Sequence, residues 1–155
     1  MMSTDSQRLI EQAFDTFKAF DNLTVTTSSA EQQAFPTSIW QILQHLLSWQ
    51  AHQLAQLQGI ASAETFDEKQ SWQAARVPPS GVALQAAVTQ FKHQLAELQT
   101  WASEAKGDAP QILARGLVLQ DVALHLSFHV GEVVLIRRLQ GSYPLPAHMS
   151  EFLQA

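Results

Sequence analysis

The chain has 155 residues, 46% of them apolar and only 15% charged, with a formal net charge of −5 and no cysteine. That composition describes one folded domain of 1–155 with a single core and argues against disorder. Without cysteine there can be no disulfide, thiolate metal site or cysteine nucleophile. Nine scattered Lys and Arg residues, with Arg137-Arg138 the one adjacent pair, make a poor nucleic-acid surface, because neutralising phosphates needs clustered positive charge. The N-terminal stretch lacks the basic-then-apolar order of a secretory signal, and no uninterrupted apolar run reaches the ~18 residues of a membrane span. The expectation is a cytoplasmic protein that engages neither membrane nor nucleic acid.

The elements read as four helices. Leu9, Ile10, Ala13, Phe14, Phe17 and Phe20 recur at helical spacing and predict a first helix over Thr4 to Phe20, stopped at Asp21-Asn22. Thr37 or Ser38 then caps a second helix that runs to about Gln58, where Gly59 ends it. Residues 60–79, ending in Val77-Pro78-Pro79, show no strand-like alternation, only a short helical turn within Glu64 to Ala75. The third helix spans Ser80 to Ser103. After Lys106-Gly107, Asp108 caps a long fourth helix with Pro110 in its first turn, and Gly141 closes it.

A link of about five residues between the third and fourth helices makes them antiparallel neighbours. The twenty-residue link between the second and third is long enough to cross the length of a bundle, so those two run parallel. The expected fold class is therefore all-α, a four-helix bundle in up-down-down-up order. Connections that long are uncommon in compact domains and often cover a site.

The fourth helix poses a chemical question. His125 and His129 stand at i and i+4, so both rings leave one face of an otherwise apolar helix. That spacing lets two imidazole nitrogens approach one divalent cation. Alone the pair is a weak signal, and two half-buried histidines satisfied by neighbouring side chains explain it equally well. A third candidate, His45, lies in the first half of the second helix between Ile42 and Trp49. If helices two and four run antiparallel, His45 falls at the height of the pair.

Three histidines would leave a coordination position open to water or substrate, as catalytic rather than structural sites do. Asp121 and Glu132 flank the pair at helical spacing. Either could orient an imidazole, join the metal or take a proton; a solvated helix face is the simpler fate, above all for Asp121. His52 is the reserve ligand, and His93 and His148 read as surface residues. Trp40 and Trp49 are candidates for the mouth of the site. Arg137 could meet a substrate carboxylate or cofactor, although capping its own helix is the simpler job. The apolar run Val133-Val134-Leu135-Ile136 cannot all face one core, which predicts a homodimer.

The stretch His125-Leu-Ser-Phe128-His129-Val-Gly131-Glu132-Val-Val-Leu-Ile136-Arg137-Arg138, together with His45, resembles the DinB/YfiT-like proteins. Helix order and loop lengths extend that resemblance along the whole chain, while the specific motif covers only the last helix and His45. The resemblance implies an up-down-down-up four-helix bundle, often dimeric, with a divalent metal (nickel or zinc) on His45, His125 and His129. It further implies thiol-dependent S-transfer to a small electrophile, with a low-molecular-weight thiol as cosubstrate, in detoxification or stress. Hydrolysis through activated water is the less supported version. Phe128 and Glu132 depart from the commoner Tyr and Gln of that pattern, removing a hydroxyl and adding a charge near the site. The contrasting expectation is a non-catalytic dimeric metal-binding or stress protein.

Overall fold

Six α-helices and two 3₁₀ turns, with no strand, make up the described part of the chain in a computed structural model covering residues 12–29, 35–104 and 107–155. The helices are α1 (Val25–Ser28), α2 (Ile39–Leu57), α3 (Glu68–Ser71), α4 (Gly81–Ser103), α5 (Ala109–Leu139) and α6 (Met149–Gln154). The protein is all-α.

Local chemistry sets the ends of the three long helices. Ser38 accepts the backbone N–H of Gln41 while the Gln41 side chain accepts that of Ser38, a reciprocal cap at the start of α2. Asp108 and Gln111 do the same for α5, with Pro110 in the first turn, and Ser80 caps α4. Gly59 and Gly141, at φ 75° and 71°, take the left-handed backbone that closes α2 and α5. Gly116 lies inside α5, which is helical throughout.

One core joins them. Ile42, Leu43 and Leu46 of α2, Leu84, Phe91 and Leu98 of α4, and Val122, Leu126 and Val133 of α5 are all essentially inaccessible. Each such burial is worth roughly 1.5–3 kcal/mol relative to exposure.

Side-chain pairs give the helix directions. Thr37 just before α2 bonds Glu132 late in α5, His45 meets His125 and His129, and Gln56 and Leu57 share a groove with Gln111 and Ala114. Rising numbers on α2 meet falling numbers on α5, so the two are antiparallel. Trp101 at the end of α4 packs on Arg115 at the start of α5, closing a second antiparallel pair. The 58–80 crossover returns to the start of α2, where Arg76 donates to the carbonyls of Phe35 and Pro36. α4 begins five residues later, beside the end at which α2 began. The crossover carries the 3₁₀ turn Ala63–Thr65 and α3, the local helicity expected there.

The first predicted helix needs correction. Its residues 4–11 lie outside the described part, and among the described residues helix persists through Gln12 and Ala13 and then gives way to a turn, well short of Phe20. Phe17, Lys18 and Asn22 hold positive φ near 55°, which no right-handed helix accommodates. Tertiary bonds override the helical periodicity. The Asp15 carboxylate accepts the Phe17 N–H, the Tyr143 hydroxyl donates to the Phe17 carbonyl, and Arg137 donates to those of Ala19 and Asp21.

Candidate metal centre

Three histidines converge between α2 and α5. His45 and His129 are almost wholly buried and His125 is half-buried, and one nitrogen of each lies within 4.8 Å of the others. The i, i+4 spacing stacks His125 and His129 on the inner face of α5, their ring centroids 4.7 Å apart. The antiparallel register brings His45 to within 5.0 Å of both, ring to ring.

Hydrogen bonds fix which nitrogens face inward. The Ser71 hydroxyl donates its one proton to the Glu68 carbonyl at 2.6 Å, so at the 2.7 Å contact with His45 Nδ1 it must accept. His45 is therefore protonated on Nδ1, and its Nε2 carries a lone pair. The same logic applies to His129. Its Nδ1 donates to Glu132 Oε2 at 3.0 Å, leaving Nε2 as an acceptor. Glu132 is held in turn by the Thr37 hydroxyl, which donates to Oε1 at 2.8 Å. Carboxylate or hydroxyl partners on the far nitrogen are what orient metal-binding imidazoles and raise their basicity.

His45 Nε2 and His125 Nε2 are 3.1 Å apart. Two nitrogens at 2.0–2.1 Å from a tetrahedral ion would be separated by roughly 3.3–3.4 Å, so this edge is already close to ligand spacing. Burial, reinforced by His125 and His129, pushes the pKa of His45 down to about 3. Burial and His129 bring His125 down to about 4. Both rings are thus neutral at ordinary pH, the form in which imidazole binds metal. The donor set fits a divalent cation such as zinc or nickel.

Aromatic rings enclose the cluster. Trp72 lies flat on His45, centroids 3.8 Å apart and planes 13° apart, and meets His129 edge-on at 5.8 Å. Trp49 contacts His125 at 5.1 Å and is backed by Phe66 at 4.2 Å. The crossover supplies Ser71, Trp72 and Phe66. It is pinned over the site by Arg76 and by Gln41, whose amide donates to the Gln73 carbonyl at 2.8 Å. The long connection does cover the site.

The other predicted residues divide. Glu132 orients His129 with both its oxygens engaged, which is the supporting role rather than that of a free base. Asp121 is exposed and outside the cluster. His52 is half-buried beside Phe66, also outside it. His93 is exposed and 3.5 Å from Glu97, and His148 is exposed. Trp49 lines the site, whereas Trp40 belongs to the core.

Arg137 requires a correction as a cofactor or substrate contact. It is 4% exposed and donates to the carbonyls of Ala19, Asp21 and Ser142, roughly 12 Å along the helix from His129. Its guanidinium ties the end of α5 to the 17–22 turn. Phe128 is exposed, its ring edge-on to His129.

Sequence reasoning missed Ser71, Trp72, Phe66 and Thr37. The tryptophan and phenylalanine in an otherwise polar crossover were the only available signal, and nothing in their spacing aims them at His45.

No protein-family model, curated protein or solved structure matches this chain.

Proposed function

We propose that His45, His125 and His129 hold one divalent cation, nickel or zinc, in an up-down-down-up four-helix bundle of the DinB/YfiT-like type. The activity proposed for it is transfer of a low-molecular-weight thiol to a small electrophile. The observation that carries the metal reading is the convergence of three imidazoles, two of them locked by Ser71 and Glu132 with their lone pairs turned inward. The enzymatic reading adds the resemblance of the His125–Arg138 stretch and His45 to that family. The antiparallel pairing of α2 with α5, and of α4 with α5, supports the bundle order.

When bound, the cation supplies the Lewis acidity that makes a thiol or water reactive near neutral pH. The chain supplies the rest. Glu132 keeps the proton on His129 Nδ1, Ser71 keeps that of His45, and Thr37 holds Glu132 in place. Trp72 and Phe66 exclude water from the crossover side, strengthening every charge interaction inside. His125, the least buried ring, marks the side from which a small substrate approaches.

A second reading, a non-catalytic metal-binding protein, is favoured by how completely His45 and His129 are covered. Turnover separates the two. The zinc- or nickel-loaded chain should conjugate a thiol to at least one member of an electrophile panel, and His125→Ala should abolish it. Stoichiometric metal with no turnover for any thiol, or for water, selects the binding protein.

A further inference from the structure

Trp49 and His52 stand one turn apart on α2, both within about 40° of His45 around the helix axis. Each holds a ring nitrogen that is wholly buried, and among the described residues nothing bonds to Trp49 Nε1 or to His52 Nε2. A buried N–H without an acceptor costs free energy, and native structures keep few of them. Both rings lie against one side chain, Phe66 of the crossover, with centroids 4.2 and 4.9 Å away. Trp49 also lies 5.1 Å from His125, the least buried of the three histidines. Two unpaired nitrogens thus share one phenyl cover beside the open edge of the metal centre.

The segment that carries Phe66 is held differently from the rest of the crossover. Ile60 and Ala61 donate to the Ala55 carbonyl at 2.8 and 3.2 Å, which fixes one end. Ser71, Gln73 and Arg76 fasten the other through His45, Gln41 and Phe35. Between these anchors, among the described residues, 62–66 hydrogen-bonds only within itself, through Thr65 and Ser62, and residues 62–65 are exposed. What ties the segment to the bundle is the Phe66 ring. Stretches with few bonds to their surroundings open at low cost, and the loops that close over sites are drawn from them. Closure here leaves two nitrogens unpaired. A ligand that offers them acceptors therefore favours the open form.

The indole nitrogen is a donor only, and His52 Nε2 donates in the tautomer that carries its proton there. A carbonyl brings one oxygen to such a pair, whereas a carboxylate brings two in one plane. We infer that residues 62–66 form a flap closed by Phe66, and that Trp49 and His52 beneath it seat a carboxylate of the ligand entering the metal centre. The ligand's reactive end rests on the proposed metal reading. The seat itself uses none of the three metal-binding histidines.

Propionate added to the nitrogen-15-labelled, metal-free chain tests the seat directly. The Trp49 indole and His52 ring resonances should move together and saturate, and 1-propanol should leave them in place. Trp49→Phe keeps the packing ring and removes only the donor, so it should weaken propionate about 10-fold, as should His52→Phe. Phe66→Ala should speed hydrogen exchange of the Trp49 indole N–H by at least about 10-fold, since burial under that ring is its protection. In the zinc-loaded chain, calorimetry should find 3-mercaptopropionate bound about 10-fold more tightly than 1-propanethiol, and Trp49→Phe should erase most of that preference. Nitrogens that ignore propionate, or equal affinity for the two thiols, would overturn the seat. Indole exchange unchanged in Phe66→Ala would overturn the flap. Because the propionate titration needs no metal, a chain that takes up no zinc sinks the metal reading while the seat stands or falls separately.

Discussion

Two buried polar clusters sit about two turns apart on α5, and they are built on opposite rules. Around Arg137 each described donor finds an acceptor: the carbonyls of Ala19, Asp21 and Ser142 take the guanidinium N–H groups, and Tyr143 packs beside it. Around His45, His125 and His129 the outer nitrogens of two rings are satisfied, while the inner ones present lone pairs to a common point. The first cluster is complete in itself and closes a turn. The second leaves inward-facing acceptors close enough together to hold a metal ion. Burial alone would rank the two together; direction of the lone pairs separates them.

The contrast is broken or sharpened by substitution, beginning with the ligands. His45→Ala, His125→Ala and His129→Ala should each lower zinc affinity by roughly 1,000-fold, beyond the ~10–100-fold loss expected for an outer partner, as read by competition with a chromogenic chelator. Arg137→Met should do the reverse. It leaves two or three carbonyls unpaired and should cost about 2–4 kcal/mol of unfolding free energy in urea, with zinc affinity essentially unchanged. Affinity falling with stability retained would show that Arg137 belongs to the site after all.

Ser71→Ala and Glu132→Ala free the outer nitrogens of His45 and His129, and each should weaken zinc binding by roughly 10-fold. Glu132→Gln keeps an acceptor for His129 Nδ1 and should recover most of that loss. No recovery would mean that the charge of Glu132, rather than its aim, is what matters.

The last test is of pH dependence. In the metal-free folded chain His45 and His125 resist protonation until about pH 3 and 4, while unfolded histidines titrate near 6.5. Between those values the unfolded state binds more protons, so stability is fully present above pH 6.5 and is lost as pH falls below it. The melting temperature of metal-free protein should drop between pH 7 and 4.5, and the drop should shrink in His45→Phe, with one fewer ring to protonate. A flat profile in the wild type would contradict the neutral, buried cluster.

Much of this was legible in the sequence, for physical reasons that also mark where legibility ended. The caps Ser38 and Asp108, and the stops Gly59 and Gly141, are local signals, and each falls where its residue type requires. His125 and His129 share a face because helical geometry is fixed. Linking them to His45 needed both an antiparallel α2 and α5, with which the loop lengths are compatible, and a register that no sequence pattern carries. Ser71, Trp72 and Phe66 were invisible because they sit in a crossover with no period, placed by bonds such as Arg76 to Pro36 between distant residues. Periodicity misled at Phe17 and Phe20. Their spacing is helical, yet Arg137 and Tyr143, more than a hundred residues later, hold the backbone in a turn. The same limit applies to Arg137, whose place in a recognisable motif said nothing of which carbonyls it would meet.

The central claim is that three imidazoles share one ion through their inner nitrogens. Nitrogen-15 spectra of the histidine rings, recorded while the metal-free chain is titrated with zinc, address it ring by ring. Nε2 of His45 and His129 and one nitrogen of His125 should shift together and stop at one equivalent, with the Nδ1 protons of His45 and His129 kept throughout. Rings that do not respond, or that respond only at several equivalents and independently, would contradict it.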